Sequence, residues 1–326
     1  MSDGASVIEV EGLTKHYHGF AAVKGISFTA REREVFGFLG PNGAGKTTTI
    51  KILATLLEPT SGTARVAGHD VVREREAVRR SIGIVFQDPT LDERLTAMEN
   101  LEFHGLLYGL SWGEVKRRAA PLLELVGLSD RVGQLAKTFS GGMKRRLELV
   151  RGLLHAPSVL FLDEPTVGLD PQSRAQMWDY IPRLAHEQGV CIFVTTHYME
   201  EAEFAQRIAI MDHGEIVALD SPQGLKARIG DEVIAVQASA APREPDWARR
   251  LGVTVTGQPP RFQVHCRDAG EVLGGVVAAF GSALERVEVL KPTLDTVFLE
   301  LTGREIRDET LSARDAARAA MGRWRR

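Results

Sequence analysis

The stretch GPNGAGKT at positions 40–47 follows the apolar run VFGFL and precedes the helix-like segment TTTIKILATLLE. A strand, a glycine-rich loop and a helix in this order are typical of a phosphate-binding P-loop. Gly40, Gly43 and Gly45 let the backbone turn tightly enough for successive N–H groups to face an anion, and the helix adds its positive N-terminal end. The sequence therefore predicts a nucleoside triphosphate site in an α/β fold.

Two side chains of this loop complete the expected phosphate contacts. Lys46 supplies a positive charge to the β and γ phosphates, and the Thr47 hydroxyl is a Mg²⁺ ligand. A glycine-rich loop with a lysine can also form an ordinary turn, but the flanking strand and helix argue against that interpretation. The predicted nucleotide-binding residues of the loop are Gly40, Pro41, Asn42, Gly43, Ala44, Gly45, Lys46, Thr47 and Thr48.

Two further segments place polar residues at the ends of predicted elements. The apolar run SVLFLDE ends in Asp163 and Glu164, at the carboxyl end of a strand, where α/β sheets place ligands. The segment FSGGM contains Ser140, Gly141 and Gly142 and precedes an amphipathic helical pattern. A serine and two glycines at a helix start predict a second anion site, although the same residues also fit a routine helix cap.

The order of the motifs along the chain indicates one family. Gln87 follows the strand-like run IGIVF, Asp170 lies in VGLD, and His197 follows the run CIFVTT. Together with the loop and the two segments above, this set resembles the nucleotide-binding subunit of ATP-binding cassette (ABC) transporters, over about residues 7–225. The resemblance implies a P-loop NTPase cassette with a RecA-like core and a helical subdomain at about 88–157, and ATP and Mg²⁺ as cofactors.

The resemblance also assigns chemical roles. Asp163 would hold Mg²⁺ together with Thr47 and Gln87, and Glu164 would polarise the attacking water as the general base. His197 resembles the switch histidine that contacts the γ-phosphate. The implied catalytic residues are Glu164, His197 and Lys46.

Two other positions match the family by their place in the chain. Tyr17, in the segment VIEVEGLTKHY, matches the aromatic residue that stacks on adenine. Asp170 matches the D-loop aspartate. A surface aromatic residue is the alternative interpretation for Tyr17.

The FSGGM segment implies a dimer. In this family the signature of one subunit, usually leucine-serine-glycine-glycine-glutamine, completes the nucleotide site of the other. Ser140, Gly141 and Gly142 keep that pattern, whereas Phe139 and Met143 depart from it. Because the chain carries one set of motifs, we expect a homodimer, or else a heterodimer with another cassette.

Composition sets limits on the partners. The 326 residues suggest about two domains, and 40 basic against 43 acidic side chains give no reason to expect a nucleic-acid partner. Cys191 and Cys266 lack the spacing of a metal site and do not indicate a disulfide. The N-terminus MSDGASVIEV lacks the pattern of a signal peptide.

The apolar run VLGGVVAAFGSAL is shorter than the about 20 residues that span a bilayer. Any membrane function must therefore depend on a partner, and the resemblance to ABC transporter subunits implies a peripheral position at the cytoplasmic face of the cell membrane, bound to an integral permease.

Strand-like runs and helical patterns alternate through the first part of the chain, as in an α/β layer fold with a central sheet. The nucleotide-binding domain is predicted to cover 1–230, and the pattern between Gln87 and Pro157 is wholly helical. The predicted strands lie at 7–10, 35–39, 82–86, 159–163, 191–195 and 207–211.

A small α+β domain is predicted at 231–303. Its pattern reads strand, short helix, hairpin, helix and strand, which is the β-α-β-β-α-β order of ferredoxin-like folds. The ending PTLDTVFLELTG resembles the accessory domain of daunorubicin-resistance-type ATPases, which pair with ABC-2-type exporters. The tail at 304–326 is predicted to be helical or disordered.

These observations predict the ATP-hydrolysing subunit of an ABC-2-type exporter, which couples MgATP binding and hydrolysis in a dimer to substrate movement by a separate permease. Two alternatives stay open at this point. One is a soluble ABC-type ATPase that acts on ribosomes or DNA, although the segment between Lys46 and Ser140 leaves no room for a long coiled-coil insertion. The other is a module that sequesters a small molecule in the second domain.

Overall fold

The computed structural model describes residues 5–229, 232–242, 244 and 246–303, so the predicted tail at 304–326 lies outside the described residues. The chain divides into two compact units. The first ends at Pro222 and the second begins at Gln223, a few residues before the boundary predicted at 230.

Strands are numbered in chain order. They are β1 Ser6–Tyr17, β2 Phe20–Arg31, β3 Val35–Leu39, β4 Ser61–Val66, β5 His69–Asp70, β6 Ile82–Val85, β7 Val159–Asp163, β8 Cys191–Thr196, β9 Arg207–Asp212, β10 Glu215–Asp220, β11 Glu232–Ala238, β12 Thr254–Gln258, β13 Arg261–Cys266 and β14 Leu284–Leu290.

Helices are numbered in the same way. They are α1 Lys46–Leu53, α2 Arg75–Ser81, α3 Ala97–Leu107, α4 Trp112–Leu125, α5 Gly141–Leu153, α6 Pro171–Gln188, α7 Met199–Ala202, α8 Pro222–Ile229, α9 Trp247–Leu251, α10 Ala269–Phe280 and α11 Leu294–Thr302. Short 3-10 turns lie at Ser129–Arg131, Ala136–Thr138 and Gly281–Ala283. Within the described ranges, no helix combines the length and the apolar content that a membrane span requires.

The first unit is built on a six-stranded sheet in the order β10-β9-β3-β8-β7-β6. The ladders that join β9, β3, β8, β7 and β6 are all parallel. Every residue of β3, β7 and β8 is buried, as expected of strands covered on both faces. Because the three strands are parallel, their carboxyl ends meet at one edge, where Leu39 pairs with Thr196 and Asp163 pairs with Thr195.

A second, antiparallel sheet has the order β2-β1-β4-β5. The predicted strand at 7–10 belongs to this sheet and not to the central one, and β2, β4, β5 and β10 were not predicted. In β2 the apolar run is interrupted by Lys24, Gly25 and Arg31, and pairing with β1 buries alternate residues. The alternation of apolar and polar residues at 26–30 is visible in the sequence, but the strand prediction did not use it.

Aromatic rings join the two sheets. Phe193 on β8 lies with its ring centroid 4.8 Å from that of Phe38 and 5.9 Å from that of Phe28 on β2. Phe36 and Phe161 also contact Phe193, at 5.6 Å each. The cluster packs β3 and β8 against β2 of the antiparallel sheet, so the strand that leads into the glycine loop is held in the core.

The second unit begins with α8, which is followed by β11-α9-β12-β13-α10-β14 and then by α11. Its four strands pair antiparallel in the order β12-β13-β11-β14. One face of the sheet packs on α9 and α10, where Trp247 meets Phe280 edge-on at 5.5 Å. This arrangement is a small α+β unit with its own apolar core.

The aromatic cluster gives a stability prediction. Phe193→Ala removes a ring that is 0% exposed, so the first unit should lose about 3–5 kcal/mol of unfolding free energy. Urea unfolding measures this loss. Phe103→Ala, at a side chain that is 62% exposed on α3, is the matched control and should change stability by less than about 0.5 kcal/mol. Equal losses in the two variants would contradict the assignment of the cluster as core.

Candidate nucleotide-binding site

The loop between β3 and α1 can be built only with glycine at two positions. Gly45 has φ of 106°, and a Cβ there would lie 2.5 Å from the carbonyl oxygen of Ala22. A Cβ on Gly40 would lie 2.3 Å from the carbonyl oxygen of Met211. No side chain caps the start of α1, so the first N–H groups of the helix stay available to an anion.

Lys46 begins α1 and is only 4% exposed. Its Nζ donates to the carbonyl oxygens of Gly40 at 2.7 Å and Pro41 at 3.1 Å, and lies 3.5 Å from Oε1 of Glu164. Burial lowers the pKa of Lys46, and the nearby Glu164 and Asp163 carboxylates partly oppose that shift. The ammonium group is therefore held at the loop by two carbonyls and one carboxylate.

Glu164 follows β7 in a strained conformation. Its φ of 47° lies in the left-handed region, which a non-glycine residue rarely adopts. The backbone N–H donates to Oγ1 and to the carbonyl oxygen of Thr195, at 3.0 and 3.2 Å. These two bonds from β8 hold the turn that aims the carboxylate at the loop.

The charge environment of Glu164 sets its ionisation. Burial alone would raise the pKa of this carboxyl group, but His197 and Lys46 outweigh burial and lower the pKa below its usual value. Oε1 lies 3.3 Å from Nδ1 of His197. This ring nitrogen is buried, and no hydrogen bond to it is present among the described residues. Glu164 is therefore a carboxylate at neutral pH.

Glu201 fixes the turn that carries His197. Thr196 Oγ1 donates to Oε2 of this buried carboxylate at 2.6 Å, and Thr166 Oγ1 donates to Oε1. The backbone N–H of Tyr198 donates to Thr196 Oγ1 at 3.0 Å. Glu201 thereby joins the segment after β7 to the segment after β8.

The predicted metal ligands fall into two groups. Asp163 Oδ1 accepts from the Thr47 hydroxyl at 3.1 Å and from the Thr195 hydroxyl at 2.7 Å. Gln87 lines the cavity described below, and no bond between its side chain and Asp163 is present in the described part of the chain. The structure thus brings Thr47 and Asp163 together directly, and places Gln87 at the same cavity.

A cavity of about 390 Å³ opens over the loop. Most of the predicted residues of the loop and the catalytic cluster line it, whereas Gly40, Pro41 and Asp163 do not. Phe20, Ala22, Val167 and Tyr198 also line it and were not predicted. The lining consists of Tyr17, Phe20, Ala22, Asn42, Gly43, Ala44, Gly45, Lys46, Thr47, Thr48, Gln87, Glu164, Val167, His197 and Tyr198.

Two aromatic side chains stand at the outer end of the cavity. Tyr17 ends β1, Phe20 begins β2, and the two residues are register partners across the turn. Tyr17 is 41% exposed and Phe20 is 62% exposed, and Lys15 Nζ lies 5.3 Å from the Tyr17 ring centroid. Both rings are exposed where they line the cavity.

The signature residues lie elsewhere. Ser140 caps α5 and accepts from the backbone N–H of Met143 at 3.3 Å. Gly142 packs so tightly on α6 that an added Cβ would lie 2.4 Å from Oγ of Ser173. None of Ser140, Gly141 and Gly142 lines the cavity of the same chain.

Asp170 caps α6. It accepts from the backbone N–H and the hydroxyl of Ser173, at 2.9 and 2.6 Å. The hydrogen bond from the Ser173 side chain is the main cause of the lowered pKa of Asp170. Because Ser173 also meets Gly142, Asp170 and the signature are packed as neighbours.

Arg145 is one of several buried residues near the site, with Thr195 and Glu201, that were not predicted from the sequence. Arg145 on α5 is 4% exposed and donates to the carbonyl oxygens of Gln87 and Glu164. The sequence contains a signal for this residue, because charged residues recur every three positions at 145, 148 and 151. The prediction of this helix used only its apolar positions.

Similarity to known proteins agrees with this geometry. Residues 23–167 match the ABC transporter family. The chain is 41% identical over 312 residues to a daunorubicin/doxorubicin resistance ATP-binding protein of Streptomyces peucetius, covering 93% of this chain and 94% of the relative. It is 36% identical to a Nod factor export ATP-binding protein of Ralstonia nicotianae, covering 93% of this chain and 95% of the relative.

Solved structures show the same fold. An ATP-binding subunit of an ABC transporter superposes with a TM-score of 0.61 at 30% identity, over 68% of this chain and 92% of that one. A dimeric ATP-binding cassette with bound ADP and Pi superposes with a TM-score of 0.59 at 28% identity, over 66% of this chain and 98% of that one. The chain carries a P-loop next to the cluster of Lys46, Glu164 and His197, and it is related to these proteins over nearly all its length. It belongs to the ABC transporter family as an ATP-binding, ATP-hydrolysing subunit.

Proposed function

We propose that the chain hydrolyses MgATP at sites shared between two subunits and drives an ABC-2-type membrane exporter. The observation that carries this proposal is the buried cluster of Lys46, Glu164 and His197, which faces a nucleotide-sized cavity. Oε1 of the ionised Glu164 carboxylate lies 3.5 Å from the ammonium nitrogen of Lys46 and 3.3 Å from Nδ1 of the His197 imidazole. Such a set can bind a phosphate, activate water and stabilise the charge that develops on transfer.

Glu164 is the proposed general base. Its lowered pKa keeps it ionised at neutral pH, so it can accept a proton from water as the water attacks the γ-phosphorus. Lys46 and the free N–H groups at the start of α1 bind the phosphate oxygens, and His197 donates to the γ-phosphate. The reaction is phosphoryl transfer to water, and positioning and charge neutralisation supply most of the rate enhancement.

The residues at the loop fit Mg²⁺. Thr47 and Asp163 offer a hydroxyl and a carboxylate oxygen 3.1 Å apart, and Gln87 adds an amide oxygen at the cavity wall. These are the hard oxygen donors that Mg²⁺ prefers, and the ion usually keeps several waters besides one or two protein ligands. When bound, Mg²⁺ neutralises charge on the β and γ phosphates.

Tyr17 is the proposed adenine contact. Its exposed ring stands at the outer end of the cavity, beyond the residues that bind phosphate. An aromatic face can stack on a base with little directional demand, and such a stack contributes about 1–3 kcal/mol.

Ser140, Gly141, Gly142 and Asp170 are proposed to serve the partner's site. Ser140 caps α5 and Asp170 caps α6, Gly141 and Gly142 begin α5, and none of the four lines the cavity of its own chain. A related cassette forms a dimer with ADP and Pi bound. One set of motifs per chain favours a homodimer with two identical shared sites, and a heterodimer with another cassette is the alternative.

Export is the proposed direction of transport. The relatives are named for drug resistance and for Nod factor export, and the similarity runs through the second unit. The described residues contain no membrane-spanning helix. The permease would therefore be a separate integral membrane protein of the ABC-2 type, with this chain bound at its cytoplasmic face.

The first prediction concerns the base. Glu164→Gln keeps the shape and the hydrogen bonds of the side chain but cannot accept a proton, so turnover should fall by about 10²-fold or more. ATP should still bind, and size-exclusion chromatography with MgATP should show a trapped dimer. Glu200→Gln, at an exposed glutamate of α7, is the control and should keep normal turnover. Normal turnover in Glu164→Gln would remove this residue from the mechanism.

The second prediction separates binding from chemistry. An adenine stack is present in the ground state and in the transition state alike, so Tyr17→Ala should raise KM with little change in kcat. Tyr17→Phe keeps the ring and should behave like the wild type. Steady-state kinetics across ATP concentrations measure both constants, and a large drop in kcat at constant KM would assign Tyr17 a structural role instead.

The third prediction tests whether the sites are shared. Lys46→Ala damages the loop side of a site, and Ser140→Arg blocks the signature side. In a mixed dimer one site receives both lesions and the other receives neither. An equal mixture should hold about half mixed dimers, so about a quarter of wild-type sites return. Trapping of labelled nucleotide counts these sites.

Neither variant alone should trap nucleotide. Differential tags on the two chains establish how many mixed dimers have formed. If mixed dimers are present and still trap no nucleotide, each chain must build its own site.

A further inference from the structure

Three successive turns of α5 hold the segment that follows β6. Arg145, Glu148 and Arg151 are spaced three residues apart on the helix, and each of them contacts the segment between Phe86 and Thr90. The spacing places all three side chains along one face of the helix. The same helix begins at the signature, where Ser140 is its cap.

Arg145 makes the contacts nearest to the chemistry. On one side its guanidinium donates to the carbonyl oxygens of Phe86 and of Gln87, the latter at 3.0 Å. On the other side it donates to the carbonyl oxygens of Glu164 at 3.3 Å and Pro165 at 2.6 Å. One side chain thereby fixes the backbone of the proposed Mg²⁺ ligand Gln87 and of the proposed base Glu164 at the same time.

Glu148 and Arg151 complete the attachment. Glu148 is 1% exposed and accepts from Nη1 of Arg145 at 3.1 Å. Its other oxygen accepts from the backbone N–H of Thr90 at 2.7 Å and from the Thr90 hydroxyl at 3.1 Å. Arg151 donates to the Thr90 carbonyl oxygen at 2.9 Å. The N–H, the carbonyl and the hydroxyl of Thr90 are all bound by α5.

This network makes α5 and the two loops a single mechanical unit. Moving the partners away from guanidinium and carboxylate groups with so little exposure is strongly unfavourable, because a buried charge needs compensation. A shift of Gln87 or Glu164 when nucleotide binds must therefore either break the Arg145 bonds or move α5. Moving α5 moves Ser140, which lies at its first turn.

We infer that Arg145, paired with Glu148, is a positioning residue that links the nucleotide site of a chain to the signature that the same chain presents to its partner. This inference rests on the proposed shared site. It adds that occupancy at one site changes the orientation of Ser140 at the other through α5, so the two sites of a dimer communicate through one buried side chain in each subunit.

Mixed dimers can distinguish an effect of Arg145 on the partner's site from an effect on the site of its own chain. In a dimer of a Lys46→Ala chain and a Ser140→Arg chain, the one intact site takes its loop from the second chain and its signature from the first. An Arg145 lesion can be added to either chain. In the Lys46→Ala chain it lies next to a site that is already inactive, so it can reach the intact site only through the signature.

Two alternative sets of substitutions are used, so that the test does not depend on the folding of a single variant. Arg145→Met together with Glu148→Gln removes both buried charges, while the glutamine can still accept from Thr90. Arg145→Lys keeps the charge but offers a point charge in place of a planar group that bonds several carbonyls. Arg117→Met, at an exposed arginine of α4, is the control. Thermal unfolding of each variant confirms that it is folded.

The linkage predicts that the double lesion in the Lys46→Ala chain lowers nucleotide trapping at the intact site on the order of tenfold, as coupling between sites commonly does. Arg145→Lys should give a smaller loss and Arg117→Met none. If the folded double variant in that chain leaves trapping unchanged, and lowers it only when placed in the Ser140→Arg chain, Arg145 supports its own site alone and the inference is wrong.

The cooperativity of turnover gives an independent readout. Homodimers that carry the Arg145 lesions should show a Hill coefficient for ATP closer to one than the wild type does, because their sites no longer communicate. An unchanged coefficient would overturn the inference. If the parent mixture of Lys46→Ala and Ser140→Arg traps no nucleotide, the shared site itself is wrong, and that failure is seen before any Arg145 variant is made.

Discussion

Lys46 and Glu164 are opposite charges 3.5 Å apart, in a place where each side chain is less than a tenth exposed. Removing one member of a buried pair commonly costs about 3–5 kcal/mol, because the other charge is left without compensation. The fold must therefore deliver both groups to one point. It does so with two parallel strands, since β3 leads to the lysine through the glycine loop and the glutamate directly follows β7. The antiparallel sheet and the phenylalanine cluster hold β3 in register with its neighbours.

The strand between them supplies the rest of the geometry. β8 lies between β3 and β7, and its last residues bond to both sides: Thr195 binds Asp163 and the backbone of Glu164, and the carbonyl of Thr196 accepts from Gly40 at 3.3 Å. The strained φ of Glu164 is held by these bonds, as expected where a backbone outlier coincides with a reactive group. His197 then follows β8 directly. The relative positions of loop, carboxylate and imidazole are thus fixed by main-chain pairing and a few hydroxyl groups.

The sequence predicted the parts of this arrangement that are local. The loop, the carboxylates after β7 and the histidine after β8 each lie next to a strand, and the parallel order brings the strand ends together. Partnerships with distant backbone could not be predicted in the same way. Arg145 binds carbonyl groups of Gln87 and Glu164, and every residue has a carbonyl, so no residue type marks the partner. The strand β2 was missed for a different reason, because the alternation of apolar and polar residues at 26–30 is present in the sequence and was not used.

The contact between Gly142 and Ser173 has a consequence for how such chains can diverge. A Cβ at position 142 would lie 2.4 Å from Oγ and 2.7 Å from Cβ of Ser173, so neither residue can grow unless the other shrinks or the two helices separate. Ser173 also binds Asp170, and a smaller residue at 173 would lose the hydroxyl that helps to fix the aspartate. Substitution at either position is thereby tied to the other, and an evolutionary path through this surface requires compensating pairs of mutations.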